Sequence, residues 1–259
     1  MKVGIVYIAY SMPDYILGSL QPWIDARAQG IAGNSYVIAA VSLPFKGYEG
    51  EPLDEVSPLK LDSYKDLGLI DAVFKGPKYC TEWEARNLAL NYLLERGCDI
   101  IWLVDNDEEY AIDDITNIFN FIKLNTYISH FRISFKNYVF DNKHYLSEPF
   151  CPPRIFKVKT NGHTLKEMIW DNDASYTHDI ACTVVHFNML PTMTIPKNVA
   201  WICHHSWLNN IYSKKKIEYQ TNARGWQCSY KWDEKEGLKF NEDFFKSKGL
   251  PLPEVLEDV

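Results

Sequence analysis

Residues 100–108 read Ile100-Ile101-Trp102-Leu103-Val104-Asp105-Asn106-Asp107-Glu108, an apolar run that closes on acidic side chains. An unbroken run of this length has the composition of a strand buried on both faces of a parallel sheet. Such a strand carries its last residues to the sheet edge where open α/β proteins bind ligands. Alternate residues of an extended chain share a side, so the spacing predicts that Asp105 and Asp107 face one cleft while Asn106 faces away. Two hard carboxylates there suit a divalent cation carrying a phosphate.

Upstream of this strand, Thr81 and Glu84 have the spacing of a capping box, and Ala85, Leu88, Ala89, Tyr92 and Leu93 fall on one helical face until Gly97. Residues 2–10 alternate and are rich in β formers, and Pro13 stands at a first helical position ahead of Ile16, Leu20, Trp23 and Ile24. Residues 35–43 form a second near-continuous apolar run. Residues 44–67 are rich in Pro, Gly and acidic side chains with little periodicity, and read as a surface excursion before a short strand at 72–74. Downstream, Ile115, Ile118, Phe119 and Ile122 mark an amphipathic helix, and 130–140 reads as one strand. This alternation implies an α/β fold with a mostly parallel central sheet flanked by helices. The pattern is less regular beyond Asn142, with strands expected at 154–158, 182–187 and 199–203.

A chain of 259 residues with 46% apolar content and no low-complexity tract can bury a full core, which excludes general disorder. No apolar stretch approaches a bilayer span, and residues 1–15 turn polar too soon for a signal peptide and lack a small-residue cleavage site. The six cysteines show neither zinc-type nor disulfide-scaffold spacing, so the reading is a cytoplasmic protein with reduced thiols. A net charge of −7 disfavours a general nucleic-acid binder. Basic residues do gather late in the chain, around Lys214, Lys215, Lys216 and Arg224, where solvated surface is the plainer reading.

Residues 81–109, TEWEARNLALNYLLERGCDIIWLVDNDEE, set a helix opening on Ala-Arg-Asn, an apolar strand and then the aspartates in one order. That order resembles the GT-A-fold glycosyltransferases that carry a DxD signature, especially family 2. The resemblance implies a single GT-A-like domain over residues 1–259: a Rossmann-like, nucleotide-binding half at about 1–110 and an acceptor-binding and lid half at 111–259. It further implies metal-dependent transfer of a sugar from a nucleotide-sugar donor, a UDP-sugar, to a hydroxyl on a glycan, protein, small molecule or hydroxylated DNA base. Mn²⁺ or Mg²⁺ is the implied cofactor, because the departing nucleoside diphosphate carries new charge that a carboxylate-held cation neutralises in place. By the same resemblance Asp107 ligates the metal and Asp105 contacts it or the ribose, with Asn106 beside them in the donor site. Arg86 faces the nucleotide, and Ala9-Tyr10-Ser11 forms the loop that meets the nucleobase. One departure stands at the end of the second strand, where Ser42-Leu43-Pro44 offers no acidic residue for the base.

A second constellation, Val199-Ala200-Trp201-Ile202-Cys203-His204-His205-Ser206-Trp207, is again an apolar strand ending in polar groups. The resemblance assigns His205, ahead of His204, to the metal shell, and Lys215 or Lys216, with Lys216 preferred, and Arg224 to the diphosphate. Adjacent strand residues point oppositely, and the sequence does not set the phase. Deprotonation of an acceptor hydroxyl needs a base. Asp179 is the first candidate and Asp171 the second, with Asp173 nearby and Trp170 or Tyr176 lining an acceptor site. The plainer readings are an acidic turn capping the next helix, an Arg86 salt bridge to Asp105 or Glu84, structural histidines, and aspartates that only shape turns. Two other functions compete: a nucleotide-sugar or glycan-binding module that turns over no donor, and an Asp-nucleophile phosphotransferase. The latter chemistry usually places Thr or Val after its Asp-x-Asp on an early strand, whereas Glu108-Glu109 follow here.

Overall fold

The computed structural model describes residues 1–147, 151–160, 163–164, 192–208, 210–223, 225 and 227–258. Asp171, Asp173, Asp179, Trp170, Tyr176, Arg224 and the strand expected at 182–187 lie outside the described residues.

The first half alternates as its hydrophobic pattern requires. Strands β1 (Lys2–Ile8), β2 (Ser35–Ser42), β3 (Ala72–Lys75) and β4 (Ile100–Asp105) are separated by helices α1 (Ile16–Gln29), α2 (Val56–Asp66) and α3 (Glu82–Glu95). The two-residue β5 (Glu108–Glu109), helix α4 (Ile112–Leu124), β6 (His130–Arg132), β7 (Phe135–Phe140), β8 (His144–Leu146) and β9 (Pro153–Lys157) follow. After the short pair β10 (Lys159–Thr160) and β11 (His163–Thr164) come β12 (Thr192–Thr194), β13 (Ile202–Leu208) and helix α5 (Ile211–Glu218), continued by a π-helical segment at Tyr219–Ala223. The chain closes with the hairpin β14 (Tyr230–Asp233) and β15 (Gly237–Phe240), helix α6 (Glu242–Lys248) and β16 (Val255–Glu257).

The central sheet has the order β12-β6-β9-β4-β1-β2-β3. Strands β4, β1, β2 and β3 run parallel, β9 is antiparallel to both of its neighbours, and β12 is parallel to β6. Because side chains alternate, Val3, Ile5 and Tyr7 of β1 pack with α1 and α4, whereas Val6 and Ile8 pack with α3. Trp23 of α1 meets Trp102 of β4 edge to face at 4.7 Å, both fully buried, so the motif strand is fixed by the largest side chains in the core.

A second sheet, β16-β8-β7-β13-β5, stands against the first. Strand β5 belongs to the acidic motif and pairs antiparallel with β13, placing Glu108 opposite His204 and Glu109 opposite Cys203. The motif therefore joins the two sheets, and that junction carries the late histidines to the aspartates.

Three expectations are corrected. The excursion at 44–67 contains helix α2, whose buried residues are only Ser57 and Leu61, too narrow an apolar face to register as a helical period. The strand read at 130–140 is two strands in different sheets, broken at the buried pair Ile133-Ser134. The face of α3 is also rotated: Ala85, Arg86, Ala89, Leu90 and Leu93 are buried, while Leu88 is exposed. That rotation turns Arg86 inward, beneath the aspartates.

Candidate active site

Strand β4 ends at Asp105, and Asn106-Asp107 form a turn rather than a continuation of the strand. Asp105 and Asp107 do approach each other, but through this turn and not through strand alternation. Oxygens of Asp105, Asp107 and Glu108 lie within 4.8 Å of one another. Asn106 does not simply face away: its backbone N–H donates to Ile8 O at 2.9 Å and its side-chain amide to Met12 O at 3.0 Å, tying the motif to the loop after β1.

Asp105 is held by two guanidinium groups. Arg86 Nη2 lies 2.8 Å from its Oδ1, and Arg154 Nη2 lies 2.9 Å from its Oδ2. Burial alone would raise this carboxyl, but Arg86 and Arg154 hold it below the usual carboxylate range. Arg86 also meets Glu82 at 2.7 Å, one turn earlier on α3. Arg154 reaches the fully buried Glu108, which accepts from Tyr110 as well. Two of the three clustered carboxylates are thus committed to arginines.

Asp107 has different company. His204 Nε2 lies 3.5 Å from its Oδ2, and Lys216 Nζ lies 3.6 Å from the same oxygen. The other ring nitrogen of His204, Nδ1, is 2.6 Å from Asn137 Oδ1, so the assigned carbonyl places the ring proton on Nδ1. Burial lowers His204 to about 4, against an opposing pull from Asp107, so the ring is neutral and turns a lone pair toward a carboxylate. Two electron-pair donors face to face, with the imidazole oriented by an outer hydrogen bond, fit a divalent cation. Asp107 with His204, beside Asp105 in the same cleft, could hold such a cation.

It is His204, and not the expected His205, whose ring faces the Asp107 carboxylate. The backbone N–H of His205 donates to Asp107 O at 2.8 Å, but its ring turns away toward Glu109, 3.3 Å from Oε2. There it stacks between Tyr15 and Tyr138, with planes within 13° and 4°.

An open cleft lies over the C-terminal ends of β1 and β4. Tyr10, Asp105, Asn106, Asp107 and Lys216 line it, drawn from both ends of the chain. Ala9 does not: it is fully buried in the core, its N–H bonded to Val41 O. Tyr48 and Tyr219 stack across the cleft with ring centroids 4.6 Å apart.

No family model matches the sequence, and no curated protein matches it at the sequence level. Solved structures do match in three dimensions. The structure of S. aureus TarS 1–349 in complex with UDP-GlcNAc superposes with a TM-score of 0.54 at 12% identity, over 85% of this chain and 64% of that one. The same S. aureus protein in complex with UDP gives 0.52 at 11% identity, over 79% and 60%, and without a named ligand 0.51 at 11%, over 80% and 61%. TarS is a GT-A-type glycosyltransferase. The fold here is GT-A-like. The chain spans about three fifths of the length of those TarS structures.

Within the GT-A-like fold, the loop after β1, the acidic motif and α5 surround one cleft. Sequence reasoning missed Arg154, Asn137, Tyr48 and Tyr219. Arg154 sits in Cys151-Pro152-Pro153-Arg154, which carries no recognisable motif. A weak signal existed for Tyr48, an aromatic in a Gly-rich loop close to the end of β2. All five described cysteines, Cys80, Cys98, Cys151, Cys203 and Cys228, are free thiols. Among the described residues no helix is long and apolar enough to cross a membrane.

Proposed function

We propose that the chain is a metal-assisted glycosyltransferase acting on a nucleotide-sugar donor, a UDP-sugar. The observation that carries the reading is Asp107, which lines a cleft that also holds aromatic side chains and a lysine, with His204 Nε2 3.5 Å from its Oδ2. The arrangement supports binding of a nucleoside diphosphate: aromatic faces at Tyr10, Tyr48 and Tyr219 suit a base or ribose, and Lys216 suits phosphate oxygens. The TarS complexes contain UDP-GlcNAc and UDP, which supports the same donor class here.

In the proposed reaction the bond between the sugar's anomeric carbon and the diphosphate oxygen breaks, its electron pair leaving with the diphosphate. The acceptor oxygen bonds to that carbon and gives its proton to a carboxylate, for which Asp179 is the first candidate and Asp171 the second. A divalent cation, Mn²⁺ or Mg²⁺, bound at Asp107 and His204 would supply Lewis acidity to the departing diphosphate. Arg86 and Arg154 hold Asp105 ionised and fixed, Asn106 anchors the loop carrying Tyr10, and Lys216 and Arg224 add positive charge for the leaving group. An Asp105 nucleophile is disfavoured because both of its oxygens are engaged by arginine.

The acceptor class favoured is a glycan, protein or small molecule rather than a hydroxylated DNA base. Lys214, Lys215 and Lys239 of the basic region are each paired with a carboxylate, which weakens the case for a phosphate-binding face. The test is a screen of nucleotide sugars with Mn²⁺ present or chelated, following thermal stabilisation and diphosphate release. Metal-dependent binding that is lost in Asp107→Ala supports the proposal. Donor binding indifferent to both metal and Asp107 overturns it, and binding without release under every acceptor condition favours a non-catalytic module.

A further inference from the structure

We infer that Lys216 competes with the divalent cation for Asp107 and gives that carboxylate up when a diphosphate enters the cleft, so that metal and nucleotide bind as a coupled pair. The inference rests on the metal-assisted reading of the same site. Lys216 Nζ stands 3.6 Å from Asp107 Oδ2, the oxygen that also faces His204 Nε2 at 3.5 Å. An ammonium so placed already supplies positive charge to the position a metal would share. A divalent cation arriving there meets a like charge beside its best ligand.

The helix that carries this lysine is held at several points, so the side chain can move without it. Asn210 caps α5 through Tyr212 N and Ser213 N, and its amide donates to Tyr15 Oη at 3.0 Å. Tyr212 Oη lies 3.1 Å from Asp14, and Lys215 lies 3.1 Å from Glu51. Anchored by these contacts, α5 keeps Lys216 over the cleft while the flexible stem selects its partner. In the same pose Lys216 Nζ lies 5.1 Å from the centre of the Trp207 ring, so an aromatic face borders the ammonium beside Asp107. A diphosphate in the cleft provides new anionic oxygens for Lys216, drawing it off Asp107. Linkage then requires the converse: metal on Asp107 releases Lys216 and strengthens diphosphate binding.

The experiment is titration of the full chain with Mn²⁺, by calorimetry and by the electron paramagnetic resonance signal of free Mn²⁺, with and without saturating UDP. Lys216→Met is expected to bind Mn²⁺ about tenfold tighter than the wild type without nucleotide, within the usual range of coupling between sites. UDP should then sharpen Mn²⁺ binding less in Lys216→Met than in the wild type. Lys215→Met removes the same charge one residue away, from a lysine that also borders the cleft but pairs with Glu51 and not with Asp107, and should change Mn²⁺ affinity less than Lys216→Met does. Thermal midpoints check that each variant folds, and Lys216→Gln repeats the measurement with a polar side chain. The inference fails if Lys216→Met and Lys216→Gln bind Mn²⁺ no tighter than Lys215→Met, or if UDP enhances Mn²⁺ binding equally in all. Asp107→Ala separates the two levels: if it abolishes Mn²⁺ binding while the Lys216 variants do nothing, the metal site stands and the lysine switch falls. If it leaves Mn²⁺ binding unchanged, or no protein binds Mn²⁺ under either condition, both fall.

Discussion

Arg154 Nη2 lies 2.9 Å from Asp105 Oδ2, a link from β9 across to the end of the parallel strand β4. The same guanidinium reaches Glu108, so one side chain from an antiparallel strand ties together both sides of the acidic turn. Removing one member of a buried charge network leaves its partners uncompensated, at a cost of about 3 to 5 kcal/mol. Arg154→Met is expected to lose stability on that order in urea denaturation. Arg154→Lys should recover only part of it, because a single ammonium cannot reproduce the forked contacts. A loss below about 1 kcal/mol in Arg154→Met would mean that the network contributes little and that Arg86 alone orders Asp105.

His130 supplies a pH dependence remote from the cleft. It is buried beside Ser129 and Thr192, and burial, aided by the nearby Arg132, lowers it from 6.5 to about 4. Between those values the unfolded chain takes up a proton that the folded chain refuses. The contribution is therefore complete above about 6.5 and lost as pH falls toward 4, amounting to up to about 3 kcal/mol. Urea midpoints at pH 7, 5.5 and 4 should fall more steeply in the wild type than in His130→Gln. Parallel pH profiles for the two proteins would show that His130 titrates normally.

The parallel half of the fold was legible because β1, β2 and β4 are apolar on both faces and α3 opens on a capping box, both local signals. Helix α2 escaped because only Ser57 and Leu61 turn inward. The strand break between Arg132 and Phe135 escaped because buried Ile133 continues the apolar run into it. The aspartates were legible at the site, since a strand end fixes their place. The phase of the histidines was not, because it is set by the pairing of β13 with β5, a contact nearly a hundred residues apart in the chain. Arg154 was invisible for the same reason: a lone arginine declares itself only when tertiary pairing brings β9 beside β4.

Gly4 of β1 lies where α3 and β4 pack closely against the strand. A Cβ at this position would lie 3.0 Å from Leu93 Cδ1 and Ile101 Cδ1 and 3.1 Å from Cys98 Sγ, all buried. These neighbours come from α3, from the loop after it and from β4, and their side-chain tips must give by a few tenths of an ångström to admit a methyl group. Gly4→Ala should cost about 1 to 3 kcal/mol, the usual range for overpacking a filled core. Thermal denaturation reads it directly. An unchanged midpoint would mean that the side-chain tips around Gly4 relax freely.

The neighbouring histidines make opposite predictions for metal binding. His204 Nε2 faces Asp107 with Nδ1 fixed by Asn137, whereas His205 is stacked between Tyr15 and Tyr138 and pairs with Glu109. If Asp107 and His204 form the donor set, His204→Ala should weaken Mn²⁺ binding by about tenfold or more, while Asn137→Ala, which removes only the outer hydrogen bond, should cost about tenfold. His205→Ala should leave Mn²⁺ affinity nearly unchanged and instead lower the thermal midpoint, because it deletes a ring packed between two tyrosines. Titration of the three variants with Mn²⁺, beside their melting curves, separates ligand from packing. The opposite pattern, with binding lost in His205→Ala and retained in His204→Ala, would require β13 to pair with β5 in a register shifted by one residue, exchanging the faces of the two histidines.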